Sequence, residues 1–307
     1  MVTREHEVRT VVTVSVVCLW VLAGLAPAAA AARCAGSRAT IVGTPGNDRL
    51  VGTPRRDVIQ ARGGDDVIRS RGGRDIICGR GGADRIAAGG RGDTVLAGSG
   101  GDLVYTGSGN DFVSASGGAD VIRTGAGHDF IFDGRGRDVI SAGSGLDTLR
   151  GDPGADVADM GTGDDLAGDG PGNDVLRAGD GEDLFRLHDA FPLLAPGADV
   201  FLGDAGIDFL QVWVPGPVLI DLTAGRIRGA QTGRDTIRSI EWAEATGQAD
   251  SLIGNGSDNF LWGLDGDDRI EGRAGNDFID GGSGTDVADG GTGTDQCFAE
   301  TVLNCEP

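Results

Sequence analysis

Sixteen aspartates recur at intervals of nine residues with no insertion or deletion between them. They are Asp48, Asp57, Asp66, Asp75, Asp84, Asp93, Asp102, Asp111, Asp120, Asp129, Asp138, Asp147, Asp156, Asp165, Asp174 and Asp183. An ordinary globular chain does not keep such a register. A fixed short period means a solenoid, in which each repeat is one structural unit stacked on its neighbours. An acidic residue in one slot of every unit predicts that the repeated chemistry is cation binding.

The residues around each aspartate define the unit. Two positions after it stands an apolar residue, from Leu50, Ile59 and Ile68 through Val104 and Ile131 to Leu176 and Phe185. The β-branched and aliphatic character of this series favours strand over helix. Two positions before it stands glycine in fourteen of the sixteen repeats, Arg55 and Arg91 being the exceptions. Glycine in a fixed slot predicts a positive φ or a close backbone approach. The unit therefore reads as a six-residue glycine-rich turn followed by a three-residue strand with one inward side chain.

The segments Gly281-Gly282-Ser283-Gly284-Thr285-Asp286 and Gly290-Gly291-Thr292-Gly293-Thr294-Asp295 carry the pattern most fully. It resembles the hemolysin-type calcium-binding (RTX) nonapeptide repeat, G-G-x-G-x-D-x-U-x, over nearly the whole chain after residue 40. The resemblance implies an all-β parallel β-roll with two repeats per turn. It also implies Ca²⁺ lying between successive loops of one edge, held by the motif carboxylate and by backbone carbonyls. The implied metal ligands are Asp102, Asp111, Asp120, Asp129, Asp138, Asp147, Asp156, Asp165, Asp174 and Asp183, and in a second array Asp268, Asp277, Asp286 and Asp295.

Elementary electrostatics agrees. In such a roll equivalent aspartates stack about 4.8 Å apart. Two carboxylates at that spacing repel by roughly 1 kcal/mol in water and by several times that near a protein surface. Either they protonate or a cation neutralises them. Oxygen-only ligands with several carbonyls suit Ca²⁺ better than Mg²⁺, which demands a tighter octahedron, and the scarcity of His and Cys disfavours zinc. The bland alternative is that each aspartate merely caps a turn through nearby N–H groups. With 57 glycines to order and a thin core, folding is expected to depend on cation binding.

The early loops depart from the pattern. Arg55, Arg56, Arg62, Arg71, Arg74, Arg80 and Arg91 occupy them, and are expected to weaken or replace calcium there, since an arginine could neutralise stacked aspartates directly. Residues 1–32 read as a secretory signal peptide: the apolar run Val11 to Leu25 follows Arg4 and Arg9, and small residues surround Ala30. An N-terminal cap is expected over 33–47 and a first array over 43–186. An interruption follows over 187–249, with short strands read as a lateral extension of the roll. A second array is expected over 250–297 and a C-terminal cap over 298–307. Asn259 stands in an aspartate slot and could ligate through its carbonyl oxygen.

The formal net charge of −21, with no lysine, argues against a nucleic-acid partner, and the mature chain offers no membrane span. Outside the signal there are four cysteines, Cys34, Cys78, Cys297 and Cys305. An even number in a secreted chain implies disulfides. Of the three connectivities, Cys34–Cys78 with Cys297–Cys305 would fasten each end of the solenoid. Catalytic signatures are absent. His128 reads as a solvated turn residue and His188 as part of an inserted loop, and the repeated carboxylate pairs lack the distinct surroundings that an acid/base couple needs. Trp213, Trp242 and Trp262 read as filling a core widened at the interruption. The sequence thus describes a secreted, non-enzymatic calcium-binding roll. The alternatives are an extracellular polysaccharide- or matrix-binding module and a solenoid polysaccharide lyase or epimerase.

Overall fold

In a computed structural model, residues 32–187, 197–230 and 232–306 are described. Residues 1–31 of the expected signal segment and His188 lie outside them. The described chain is all-β, and no helix in it is long and apolar enough to cross a membrane.

Repeats alternate between two long sheets, one of 16 strands and one of 15. Because two nonapeptides complete a turn, each strand pairs in parallel with those eighteen residues away. Val104 lies between Ile86 and Ile122 in one sheet, and Val113 between Val95 and Ile131 in the other. The apolar residue two positions after each aspartate points between the sheets, and the column from Ile59 to Phe185 is buried. A second inward slot, four positions after the aspartate, holds small residues such as Ala61, Ala88, Ala97, Ala115 and Ala142.

Many strands of the first array are longer than the expected three residues, although others, such as Val67–Arg69 and Thr148–Arg150, keep that length. Leu103–Ser108 and Val121–Ala126 have six each, because the turns pair as well: Gly107 sits in register with Gly89 and Gly125. That pairing needs a left-handed residue four positions before the aspartate, and Gly107 supplies it with a φ of 103°. Arg62, Arg71 and Arg80 adopt the same conformation, with φ of 88°, 81° and 83°, at roughly 1–2 kcal/mol each for a residue with a Cβ. In the second array the strands keep three residues, as in Arg269–Glu271 and Val287–Asp289.

The interruption extends the sheet along its axis, not sideways. Val218–Asp221, Arg226–Gly229 and Gly233–Arg238 form an antiparallel insert within the 16-stranded sheet, while the other sheet continues without it through Leu210, Ala243 and Leu261. The reason is its apolar alternation. Val218, Ile220, Ile227 and Ile237 are all buried and continue the core column, which leaves nothing to seed a separate layer.

Both ends are fastened as expected. Cys34 bonds Cys78, with Cα atoms 5.7 Å apart, and Cys297 bonds Cys305 at 6.0 Å.

The tryptophans correct the sequence reading. The inward slots beside them are taken by Ala243 and Leu261, so Trp242 and Trp262 stand on the outer face, half-buried. They join a continuous strip of rings. Phe209 lies 5.7 Å from Trp262, Trp242 4.8 Å from Phe260, Phe260 5.1 Å from Phe278, and Phe278 5.4 Å from Phe298. Trp213 is 49% exposed, with the Arg186 guanidinium 5.0 Å from its ring centre.

Candidate metal centre

The repeat aspartates form two ladders, one along each edge of the roll, and away from the ladder ends they have one oxygen engaged and one idle. The backbone N–H of Asp102 donates to Oδ1 of Asp120 at 2.7 Å, and that of Asp120 to Asp138 at 2.7 Å. On the opposite edge Asp111 donates to Asp129 and Asp129 to Asp147, both at 2.8 Å. The ladders cross the seven-residue insertion through Asp174 to Asp199 and Asp183 to Asp208. They run through the second array as Asp250 to Asp268 to Asp286 and as Asn259 to Asp277 to Asp295. The turn-capping reading therefore holds for Oδ1, although the N–H it caps belongs to the neighbouring turn.

Oδ2 is another matter. All fourteen aspartates expected as ligands are buried, and the Oδ2 of each has no hydrogen-bond partner. Asp66, Asp75, Asp84, Asp93 and Asp208 are in the same state, making nineteen ladder positions among the described residues. Leaving a buried acceptor unmet costs about 1–3 kcal/mol. Nineteen such oxygens together exceed the roughly 5–15 kcal/mol by which folded proteins are stable. The roll needs a proton or a cation at these sites.

Burial is the main influence on the carboxyls. It lifts Asp93, Asp102, Asp156, Asp165, Asp174 and Asp208 to about 7, and Asp84, Asp120, Asp147, Asp268 and Asp277 to about 6. The N–H bond from the neighbouring turn pulls the other way. For Asp102, the charges of Asp120 and Asp84 push it further up.

The ladder ends explain by contrast what the middle lacks. At Asp48, Asp57 and Asp250 the residue four positions earlier is threonine, and Oδ2 accepts from its N–H and its hydroxyl: from Thr53 at 2.6 and 3.0 Å, and from both groups of Thr246 at 2.8 Å. Asn259 is met the same way, its Oδ1 accepting from the Asn255 N–H at 2.8 Å while its Nδ2 donates to the Glu241 carbonyl. Its amide oxygen is thus already engaged. At the far ends glutamates complete the rungs: Asp208 donates to Glu241, Asp286 to Glu300 and Asp295 to Glu306.

These partners were missed in the sequence, as was Asp235, which accepts from the Asp199 N–H. For Asp235 and for the threonines the sequence carries a pattern that could have pointed to them. Asp235 has Ile237 two positions on, and the spacing Thr-x-x-x-Asp occurs at Thr44, Thr53 and Thr246.

The arginines do not take the place of a cation. Arg55, Arg56, Arg62, Arg71, Arg74, Arg80 and Arg91 are all exposed, and the Oδ2 atoms of Asp66, Asp75, Asp84 and Asp93 remain unpartnered beneath them. Arg62, Arg71, Arg80 and Arg91 stand on positive-φ backbone, and Arg80 reaches the Arg33 carbonyl in the cap. His128 is exposed, and its Nδ1 accepts from the Leu146 N–H.

Other oxygens converge on the idle ones. A Cβ added to Gly154 would collide with the Gly136 carbonyl of the preceding turn and with both carboxylate oxygens of Asp156. One added to Gly272 would collide with Asp277 Oδ2 and come within 2.7 Å of the Gly290 carbonyl oxygen of the following turn. The glycines thus keep open a cradle lined by carboxylate and main-chain carbonyl oxygens. An oxygen-only set with several carbonyls fits a hard cation of flexible coordination such as Ca²⁺, and offers zinc no nitrogen or sulfur.

The family described as RTX calcium-binding nonapeptide repeat matches residues 42–77, 79–113, 96–131, 114–149, 123–158, 132–167, 159–187, 240–268 and 262–297, more than half of the chain. No curated protein matches the chain significantly.

Proposed function

The chain belongs to the RTX calcium-binding nonapeptide repeat family, and on that premise we propose that it is a secreted, non-enzymatic protein that folds on binding Ca²⁺ and serves a structural or interaction role outside the cell. The observation that carries this reading is the pair of ladders of buried, unpartnered Oδ2 atoms facing glycine-lined carbonyls. The ligating carboxylates are those of Asp102 to Asp183 and Asp268 to Asp295, joined by Asp66, Asp75, Asp84, Asp93 and Asp208, while Asp48, Asp57 and Asp250 are satisfied by threonine. Bound Ca²⁺ supplies the positive charge that the stacked carboxylates lack. Two disulfides support an oxidising compartment. Equilibrium dialysis against radiolabelled Ca²⁺ tests the reading. Several ions per chain are expected, undisplaced by equal Mg²⁺, and a chain that binds none at millimolar Ca²⁺ overturns it.

A second reading, recognition of an extracellular polysaccharide, rests on the ring strip from Phe209 to Phe298. Half-buried aromatic rings on a flat outer face suit stacking against sugar rings, which have one apolar side. Binding on a glycan array that disappears in Trp242→Ala and Trp262→Ala would support it, and binding unchanged in both would sink it.

A further inference from the structure

Between the turns of Asp138 and Asp156 the ladder carries a third carboxylate. Asp133 stands five positions before Asp138, in the inward slot that other repeats fill with Ala61, Ser70, Gly79, Ala97 or Thr124. It is fully buried. Its Oδ1 is anchored by the N–H groups of Gly134 at 2.7 Å and Asp152 at 2.9 Å, while its Oδ2 has no partner. One oxygen each from Asp133, Asp138 and Asp156 lie within 4.8 Å of one another, and Asp138 and Asp156 also bring unpartnered Oδ2 atoms. The Gly136 carbonyl adjoins the Asp156 carboxylate across the Gly154 cradle. The nearby Arg135 and Arg137 are exposed.

We propose that Asp133, Asp138 and Asp156 form a distinct three-carboxylate site that binds one hard divalent cation more tightly than any other step of the roll. In the folded roll two N–H groups hold the Asp133 carboxylate in one orientation, so the third ligand meets the ion without a rotamer search of its own. An additional charged ligand raises the affinity of an oxygen site for Ca²⁺. The inference rests on the calcium reading for the identity of the ion. It goes beyond that reading by assigning a residue outside the repeat aspartates and by ranking the sites.

The test is equilibrium dialysis of the full chain with Ca²⁺ at graded chelator buffering, comparing the wild type with Asp133→Asn and Asp133→Gly. The glycine variant restores a residue that the fold already accepts at this slot in Gly79 and Gly272, and circular dichroism at saturating Ca²⁺ reports whether each variant folds. The wild type is expected to show a class of about one ion bound at least ~10-fold more tightly than the rest, absent from both variants. Array ions without a tight class, or a tight class retained in a folded Asp133→Gly chain, overturn the proposal and leave the calcium reading standing. A single tight ion lost with Asp133, with no further ions bound, upholds the site and overturns the calcium-loaded array. No binding at all overturns both.

Discussion

Gly127→Ala lowers the melting temperature of the calcium-loaded chain by about 6 °C or more, while Gly72→Ala leaves it unchanged within about 1 °C. Gly127 has a φ of 142°, and a Cβ there would lie 2.5 Å from the carbonyl carbon of Gly109 in the preceding turn. The conformation alone costs an L-residue about 1–3 kcal/mol. The overlap adds a similar amount, since main chain, not a flexible side chain, stands in the way. About 3 kcal/mol or more, at about 2 °C per kcal/mol for a chain of this size, gives the predicted shift. Gly72 has ordinary φ and open space around its would-be Cβ. Because the unit is repeated, the damage should stay local and split the melting curve, as expected where each repeat contacts only its neighbours. Equal melting temperatures for the two variants would contradict the account of the turns.

Removing the cation has the larger effect, and its sign with pH is fixed. At neutral pH the chelated chain must bury ionised carboxylates with unmet Oδ2 atoms, so it unfolds. Burial raises the ladder carboxyls from 3.8 to about 6 or 7 in the folded state. A cation-free roll therefore holds more protons than the unfolded chain between about pH 4 and 7. Its stability is fully present below the unfolded value and is lost as pH rises through 6 and 7. The chelated chain is expected to recover β structure on acidification toward about pH 5 and lose it again on return to about pH 8. Calcium behaves in the opposite sense. Protons compete for the same oxygens, so its apparent affinity falls as pH drops below about 7. Circular dichroism across pH, with and without chelator, measures both trends, and a chelated chain least folded at the acid end would contradict them.

The roll was legible because its information is periodic. The nine-residue register of aspartate, glycine and apolar slots specified a solenoid of turn-and-strand units and the inward column from Ile59 to Phe185, and the resemblance to RTX repeats implied the parallel strands and the two repeats per turn. What escaped was aperiodic or depended on direction. The insert from Val218 to Arg238 could lie beside the sheet or within it, and only the burial of Ile220 and Ile227 decides. The arginines looked available as counter-ions because their sequence positions adjoin the aspartates, but Arg62, Arg71 and Arg80 are exposed while the carboxylates are buried. The tryptophans were misplaced for the same reason: Trp242 and Trp262 occupy odd slots relative to the aspartate position, which face out. The ladder ends, with Thr53, Thr246, Glu300 and Glu306 completing rungs, were visible as residues but not as partners, since the N–H groups and carboxylates they meet are defined only by the fold.

The most direct measurement is far-UV circular dichroism of the full chain at about pH 7.5, stripped with chelator and then titrated with Ca²⁺, with Mg²⁺ as the control. The account predicts a largely disordered spectrum after stripping, a cooperative gain of β signal with Ca²⁺, and no comparable gain with Mg²⁺. A β-rich spectrum indifferent to chelator would contradict it, because the unmet oxygens of the two ladders would then be neutralised without a cation.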